Sequence, residues 1–435
     1  MATQDQPPGD DAPGVVRTRF RRRGDYLAVA AIVVVTLVVA GVVWLNSDVL
    51  ATTAQTGPSG VRAPAAPAEV PARLAEAWRA PSGATPRPVA VGPTVVSANG
   101  GAVVGRDPLT GAQRWRYARN LPLCTVASSW SKVLAVYRRT STELPPSARY
   151  HSGNCSEVTA LDATTGARKE QRNGNAEPGT RLVTNGSYVT ATGHRLLNTW
   201  RSDLVQSSEY GSVPDARNPN RQPRPNCLHG SVVTGASDVG VIERCPGEPA
   251  DRLTVYAASN PNEDEADRPA VQYSTLLPGR NARVVAMTAD SVAVALPGPG
   301  RLLVYSTSES KQLASYPLDL PATDLHGDPA GGAVPIEWGA SAVYWYTGSS
   351  TIALASADLR PVWTVQGALG PGTDFADRTL VPVPGGLAVL DRTSGRLLRT
   401  IKVNRGNYRG TVEMTSLGPV LLEQRGDTLV ALRAV

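Results

Sequence analysis

The chain has 435 residues, with 43 Lys plus Arg against 37 Asp plus Glu and a formal net charge of +6 at pH 7. Five Arg and four Asp lie in the first 25 residues, so the remaining surplus is spread thinly and excludes the basic stripe of a nucleic-acid-binding protein. The 41 Gly and 36 Pro separate short runs of Val, Thr, Leu and Tyr, which favours an all-β fold.

The first predicted element is a membrane-spanning helix. Residues 26–45 form a run of 20 residues without a charge, about the length that a helix needs to cross 30 Å of hydrocarbon. The positive-inside rule keeps the preceding arginines in the cytoplasm. We therefore expect a cytoplasmic Arg-rich tail over residues 1–25, a single-pass anchor in the cell membrane over residues 26–45, and an extracytoplasmic remainder. The alternative is a cleaved signal peptide, whose apolar region is usually about 7 to 15 residues.

The next segment, residues 46–74, is rich in Pro and Ala and lacks hydrophobic periodicity, so it is predicted to be a semi-extended tether. The folded domain is expected over residues 75–435. An even number of cysteines in an exported domain predicts two disulfides. The four are Cys124, Cys155, Cys227 and Cys245.

A short pattern recurs through the domain. Three copies of Asp-x-x-(Thr/Ser)-Gly follow apolar runs, with Asp107 and Gly111, Asp162 and Gly166, and Asp391 and Gly395 as their ends. Five further segments keep the apolar run but not the Asp-x-x-(Thr/Ser)-Gly letters. The equivalent positions of the eight segments are on average about 47 residues apart. That is the period of a four-stranded propeller blade. The equivalent positions are Trp200, Tyr256, Tyr305, Ala355 and Arg433.

The last copy lacks an outer strand, and the N-terminal side of the domain supplies one. "EAWRA" at 76–80 matches "QRWRY" at 113–117, so Trp78 is predicted to complete the final blade and to close the ring. We expect an eight-bladed β-propeller; seven blades remain possible if residues 173–250 form one blade with a long insertion. The alignment also predicts two intrablade disulfides, Cys124 to Cys155 and Cys227 to Cys245, because the swapped pairing would join blades that are not neighbours.

The copies "GRDPLTGAQRW", "ALDATTGARK" and "VLDRTSGRLLR" resemble the blade motif of pyrroloquinoline-quinone-like propeller repeats. That family includes quinoprotein alcohol dehydrogenases and non-enzymatic propellers such as an outer-membrane assembly scaffold. The anchor and the Arg-rich, Lys-poor composition also resemble single-pass envelope proteins of actinobacteria that carry such a propeller. In the motif, Asp is expected to bind backbone donors and Gly to supply a positive φ. Trp115, Trp78 and Trp363 are expected to pack between blades.

The sequence offers little for catalysis. A quinone-dependent dehydrogenase is the enzyme alternative, but no adjacent Cys pair and no convincing Ca²⁺ triad can be assigned. The acidic stretch at 260–267 lacks the spacing of an EF-hand-type loop, and no Gly-x-Ser-x-Gly nucleophile elbow occurs. A His/Cys zinc site near Cys155 or Cys227 is disfavoured by the expected disulfides. We expect no enzyme activity, no cofactor and no bound metal.

Function is expected on one face of the ring. The longest insertions, at 139–154, 211–229, 317–332 and 402–409, are predicted to emerge on the same side, and loops on a rigid scaffold are where binding usually occurs. Simply tolerated insertions are the alternative. The expected function is a protein-binding or scaffold module of the cell envelope, or else an envelope sensor that signals through the short tail. The candidate binding residues are Tyr150, His151, Arg221, Arg224, His229, Asp324, His326 and Tyr408.

Overall fold

The computed structural model describes residues 23–45, 47, 50–139, 154–214, 220–260, 268–321 and 323–435. The chain divides into two units, residues 1–52 and 53–435. The first unit contains helix α1 (Arg23–Leu45), and no residue of this described helix is buried. It has 23 residues, and an 18-residue window within it has a mean hydropathy of 2.8, so by length and composition α1 can cross a membrane.

The second unit is an eight-bladed β-propeller, which confirms the predicted all-β fold. Two strands precede the blades, β1 (Thr52–Gln55) and β2 (Leu74–Pro81). Blades 1 to 4 are β3 (Val89–Val91), β4 (Thr94–Asn99), β5 (Ala102–Arg106) and β6 (Gln113–Arg119); β7 (Leu123–Ser129), β8 (Lys132–Tyr137), β9 (Cys155–Asp162) and β10 (Arg168–Ala176); β11 (Leu182–Thr184), β12 (Val189–Ala191), β13 (Leu196–Trp200) and β14 (Gln206–Gly211); and β15 (Leu228–Thr234), β16 (Asp238–Arg244), β17 (Arg252–Ala257) and β18 (Val271–Leu276).

Blades 5 to 8 continue the pattern. They are β19 (Arg283–Met287), β20 (Ser291–Leu296), β21 (Arg301–Ser306) and β22 (Gln312–Pro317); β23 (Ile336–Trp338), β24 (Ala342–Tyr346), β25 (Ser350–Ala355) and β26 (Pro361–Gln366); β27 (Thr373–Phe375), β28 (Arg378–Val383), β29 (Gly386–Leu390) and β30 (Leu397–Lys402); and β31 (Val412–Leu417), β32 (Val420–Arg425) and β33 (Thr428–Ala434), joined by β2. A short 3₁₀ turn, Ala330–Gly332, lies between β22 and β23. Each blade is an antiparallel sheet whose first strand, β3 in blade 1 and β31 in blade 8, is innermost.

The ring closes as predicted. β2 pairs antiparallel with β33, and Trp78 lies opposite Ala431. The last blade therefore takes three strands from the end of the chain and one from the start of the domain. Residues 173–250 contain all four strands of blade 3 together with two strands of blade 4, so the structure has eight blades rather than seven.

The core lies between the blades. Central strands such as β20, Ser291–Leu296, are buried at every position because both faces of the blade pack against neighbours. Outer strands such as β26 alternate between half-buried and exposed positions, since only one face is covered. With two Phe in the chain, the largest fully buried side chains are mainly Trp and Tyr, among them Trp115, Trp200 and Trp345.

The repeated turn has the same geometry in the three clear copies. In blade 1, Asp107 Oδ1 accepts hydrogen bonds from the backbone N–H groups of Leu109 and Thr110 at 2.9 and 3.0 Å, and Gly111 has a φ of 73°. In blade 2, Asp162 accepts from Thr164 and Thr165 in the same way, and in blade 7 Asp391 accepts from Ser394. Gly166 and Gly395 have φ values of 71° and 67°. These residues shape the entry into the outer strand.

The segment expected to be a tether packs along the propeller from residue 52 onward. β1 adds a fifth strand to blade 1 beside β6, and Gly57 N–H donates to the Thr165 carbonyl at 2.9 Å. Further along, Val70 is buried, and Arg399 Nη2 donates to its carbonyl at 2.7 Å. A Pro-rich segment has few backbone donors but many free carbonyls, and here an arginine of blade 7 binds three of them, those of Val70, Pro71 and Ala72.

Candidate functional site

The long links of the propeller leave its blades on one side. In an antiparallel four-stranded blade, the link from the second to the third strand and the link to the next blade emerge at the same end of the sheet. The links from β8 to β9, from β14 to β15, from β22 to β23 and from β30 to β31 are all of these two kinds. We call this side of the ring the loop face.

The link from β30 to β31 is fixed by a buried charge. Arg405, in this link, binds Glu423 of β32 through two contacts, of 2.7 and 3.0 Å. Glu423 is fully buried and also accepts from Arg425 Nε at 2.7 Å. Arg405 donates further to the carbonyls of Val383 and Gly386, each at 3.0 Å. The link is therefore held to blades 7 and 8 at once.

The link from β14 to β15 is fixed in the same way. Arg224 Nε donates to Glu243 Oε2 at 2.9 Å, and Glu243, in β16, is fully buried. The Tyr210 hydroxyl donates to the other carboxylate oxygen at 2.8 Å and accepts from Arg224 Nη2 at 3.0 Å. Burial, together with the Glu243 carboxylate, raises the pKa of Tyr210, so the phenol remains a donor.

Two more links have charged anchors. In blade 2, the carboxylate of buried Glu157 binds Arg139, at the start of the link from β8 to β9, and also Arg119. The link from β22 to β23 is held by Asp328, which receives both terminal nitrogens of Arg244 at 2.6 and 2.7 Å. The two oxygens of Asp328 and the planar guanidinium form a bidentate pair. Each long link of the loop face thus has an Arg–carboxylate anchor to a blade.

The predicted candidate residues fall into three groups. Tyr150 and His151 lie outside the described residues. Arg221 is exposed, and His326 and Tyr408 line a cavity described below. Arg224, His229 and Asp324 take part in internal contacts rather than facing solvent as a set.

The internal contacts of His229 and Asp324 are specific. His229 is 2% exposed, its Nδ1 lies 3.2 Å from the Gly193 carbonyl, and burial lowers its pKa to about 4. Asp324 accepts from the backbone N–H and the hydroxyl of Ser349 at 3.2 and 2.9 Å and also from the Thr347 hydroxyl. Both side chains therefore support the loops in which they lie.

The loop face opens into a cavity of about 600 Å³ at the mouth of the central channel. Its walls are the innermost strands β11, β15 and β19 and the links that lead into β3, β23 and β31. Its volume falls within the range of small-molecule sites. The aromatic side chains of Trp338, Tyr346 and Tyr408 contribute to its lining.

The link from β22 to β23 crosses part of this mouth. The Gly331 carbonyl accepts a hydrogen bond from the Thr192 hydroxyl of blade 3 at 2.5 Å. Gly331 has a φ of 62°, and a Cβ there would lie 2.5 Å from the Gly179 carbonyl oxygen, so only glycine fits. A link between blades 5 and 6 thus packs against blade 3 and narrows the channel.

Two carboxyl groups lie close together at one wall of the cavity, and one of them, that of Glu413, lines it. Glu337 Oε1 accepts from the Thr415 hydroxyl at 2.9 Å, and its Oε2 lies 3.9 Å from Arg87 Nη1. Glu413 lies on β31, two residues before Thr415, and borders the same cavity. Burial raises the pKa of Glu413 to about 8; Arg87 acts in the opposite direction and Glu337 adds to the increase. Burial also raises the pKa of Glu337.

The wall formed by blades 3 and 5 carries two guanidinium groups. Arg181 Nη1 donates to the Thr180 carbonyl at 3.4 Å and forms no ion pair with a carboxylate of the described residues. Arg283 is 7% exposed and donates through Nη2 to the carbonyls of His326 and Gly327 at 3.1 and 2.5 Å. Its buried Nε has no hydrogen-bond partner in the described part of the chain.

The cysteines form the two predicted intrablade disulfides, Cys124–Cys155 and Cys227–Cys245. Cys227, Cys245 and Glu243 bring ligand-type atoms within 4.8 Å of one another. The two sulfurs are bonded to each other and Glu243 is bound by Arg224, so this cluster is a disulfide beside an ion pair rather than a metal site.

Sequence reasoning selected candidates by residue type and loop position and missed the carboxylates that organise the site. Glu243, Glu413 and Glu423 each directly follow an apolar residue within a strand, as in "VLLEQR". A carboxylate next to apolar residues of a strand could have identified these positions in the sequence, because a buried carboxylate requires a partner or a function.

Comparison with known proteins supports the fold alone. No family model matches the chain, and no curated protein matches it. Among solved structures, the crystal structure of the computationally designed Ika8 protein is similar with a TM-score of 0.52 at 12% sequence identity, covering 83% of this chain and 99% of that one. The second unit of this chain is thus an eight-bladed β-propeller, and the first unit contains an apolar helix long enough to cross a membrane.

Proposed function

We propose that this protein is a membrane-anchored, extracytoplasmic propeller whose loop face binds another protein of the bacterial cell envelope, without catalysis. The observation that carries this proposal is the anchoring of the long links by Arg–carboxylate pairs, among them Arg224–Glu243 and Arg405–Glu423. Insertions that were merely tolerated would not need buried charges to fix them. A preformed surface binds at a lower entropic cost than mobile loops do.

Orientation and compartment follow from the sequence on either side of the helix. The arginines at 17–23 precede α1, which by the positive-inside rule favours a cytoplasmic N-terminus and a propeller outside. Two disulfides favour the same compartment, since disulfides persist in oxidising surroundings. The sensor alternative depends on the tail, and its first 22 residues lie outside the described part of the chain.

We also assign the propeller to the pyrroloquinoline-quinone-like repeat type. Support comes from the Asp-x-x-(Thr/Ser)-Gly turns and from the tryptophans that bind them, as with Trp78 Nε1, which donates to the Pro108 carbonyl at 2.9 Å. These are architectural residues, so the assignment does not imply quinone chemistry. On the same grounds we assign the chain to the single-pass actinobacterial envelope proteins that its layout resembles.

Site-specific photocrosslinking in intact cells tests the binding role. A photoreactive amino acid is placed at Asn226 or at Asn407, both exposed on loop-face links, and at Glu309, in the β21–β22 hairpin at the opposite end of its blade. We expect both loop-face positions to capture the same envelope protein and Glu309 to capture none. Glu243→Gln should reduce capture from Asn226 more than from Asn407, because it frees only the first link.

Two results would reject this function. Equal capture from Glu309, or no adduct from either loop-face position, would remove the loop face as a binding surface. Dye-linked alcohol oxidation after reconstitution of the full chain with pyrroloquinoline quinone and Ca²⁺ would replace the proposal with the dehydrogenase alternative.

A further inference from the structure

The cavity at the channel mouth has charged groups on two walls, and on each wall one of them forms no ion pair with a described residue. The first wall contains Arg87 and Glu413, and Glu337 lies beside Arg87 without lining the cavity. The second, on blades 3 and 5, contains Arg181 and Arg283. Charges removed from bulk water are costly unless a group of opposite sign lies close to them.

The acidic wall lacks a cation of its own for the ionised form of Glu413. Among the described residues, Arg87 is the cation that acts on both Glu337 and Glu413. Glu337 has Thr415 and Arg87 as partners, but Glu413 forms no hydrogen bond or ion pair with any described residue. Its carboxyl group borders the cavity and receives no hydrogen bond from a described residue. An ammonium group of a ligand at this place would stabilise the ionised carboxylate of Glu413.

The two guanidinium groups of the basic wall form no ion pair with a carboxylate of the described residues. The side-chain hydrogen bond of Arg181 in the described part of the chain goes to a carbonyl, and the two contacts of the Arg283 Nη2 atom are also carbonyls. The nearby carboxylate of Asp328 is occupied by both terminal nitrogens of Arg244. The buried Nε of Arg283 has no acceptor among the described residues. A ligand carboxylate would accept from these guanidinium groups, whose planar donors suit it.

We propose that the cavity binds a zwitterionic ligand of the amino-acid or short-peptide class, with its carboxylate on Arg181 and Arg283 and its ammonium on Glu413. Between the walls, Val233, Met287 and Trp338 supply apolar surface for the side chains of such a ligand. A volume of about 600 Å³ accommodates a ligand of a few residues. This site goes beyond the binding of an envelope protein by the loop face and does not depend on it.

Binding at the acidic wall has a proton signature. With a pKa of about 8, Glu413 is largely protonated at pH 7, in a setting that contains Glu337 and Arg87. An incoming ammonium favours the ionised carboxylate, so the proton is released to the buffer. We expect a net release approaching one proton per ligand at pH 7, measured by titration calorimetry in buffers of different ionisation enthalpy.

The main test uses the full chain in detergent micelles and four probes: trialanine, N-acetyl-trialanine, trialanine amide and the doubly blocked peptide. We expect trialanine to bind and each single block to weaken binding at least tenfold, because each removes one charge that a wall requires. Equal binding of the four peptides, or no binding of trialanine at 10 mM, on the order of the weakest affinities of interest, would overturn the proposal.

Two variants assign the walls. Arg181→Met should reduce the preference for trialanine over its amide, while the preference for a free amine remains. Glu413→Gln should make trialanine and N-acetyl-trialanine bind equally, while the preference for a free carboxylate remains. The same variant should abolish proton release. The matched controls are Arg396→Met and Glu309→Gln, both at exposed positions away from the cavity. Unchanged selectivity in both cavity variants would contradict the assignment, and the wild-type peptide series stays decisive if a variant does not fold.

Discussion

The indole N–H of Trp115, on the outer strand of blade 1, donates a hydrogen bond of 3.1 Å to the carbonyl oxygen of Ala163 in the turn of blade 2. The same ring lies against Gly166, where a Cβ would be 2.5 Å from a ring carbon. Trp78 and Trp363 bind the turns that contain Gly111 and Gly395 in the same way. The glycine therefore serves two purposes: it allows a positive φ and leaves room for the neighbouring blade.

Gly166→Ala separates these two purposes when it is compared with Gly92→Ala. Gly92 also has a positive φ, 55°, but a Cβ there would meet no atom within 4 Å. We expect Gly92→Ala to lower the free energy of unfolding by about 1–2 kcal/mol, the cost of the left-handed conformation. Gly166→Ala should cost about 1–3 kcal/mol more because the methyl group overlaps Trp115. Urea denaturation followed by tryptophan fluorescence measures both, and equal losses would show that the blade contact adds nothing.

The ring was predictable from the sequence because its closure leaves local signals. Trp78 sits in a pentapeptide that matches the one around Trp115, and the turns at Asp107, Asp162 and Asp391 fix the repeat period. Blades 3 to 6 have lost these letters, since a turn can form with other residues once the neighbouring strands determine its position. The packing of residues 52–74 was not predictable, because it depends on carbonyl partners such as Arg399 that lie far along the chain.

The Arg405–Glu423 pair is expected to contribute strongly to stability as well as to loop order. In Glu423→Gln, Arg405 and Arg425 would remain buried without their carboxylate. Removal of one partner from a buried pair costs about 3–5 kcal/mol. Arg360→Met is the control: this residue and Asp358 form a mostly exposed pair, for which about 0–1 kcal/mol is expected. The measurement is the free energy of unfolding of each variant. If Glu423→Gln lowers it by less than Arg360→Met does, then the buried pair is not an anchor.

The titratable residues on and around the cavity could not all be predicted from the sequence. His229 was chosen because it lies at the end of a long insertion on the expected binding face, yet its ring lies 5.7 Å from that of Tyr210 and is buried. Glu337 and Glu413 were not chosen, although each interrupts an apolar strand. Their proximity arises from the meeting of blades 6 and 8 at the channel, a contact that no local pattern encodes.

The two disulfides should both stabilise the propeller, and by slightly different amounts. Cys124–Cys155 closes a sequence separation of 31 residues and Cys227–Cys245 one of 18. Replacement of either pair by alanine is expected to cost about 2–4 kcal/mol, and the longer loop about 0.5 kcal/mol more, from the entropy of the unfolded chain. Thermal unfolding of the two double variants gives the comparison. The wild type is also unfolded with and without reductant, and free-thiol titration confirms that the reductant has broken both bonds. Identical unfolding midpoints in the two conditions would show that neither bond contributes to stability.

Glu413 should make the stability of the ligand-free protein depend on pH in a defined direction. Its pKa rises from an ordinary value of 4.5 to about 8 in the fold, mainly through burial and also through Glu337, while Arg87 opposes the rise. Between these pH values the folded state binds more protons than the unfolded state, so the free energy of unfolding falls as the pH increases from 4.5 to 8. Glu413→Gln removes this dependence, and its stability relative to wild type should therefore increase across that range. Glu309→Gln, an exposed control, should give a profile parallel to wild type. If the Glu413→Gln profile is also parallel in urea denaturation at pH 5, 6, 7 and 8, then Glu413 remains ionised in the cavity, and the expected proton release on ligand binding would be absent as well.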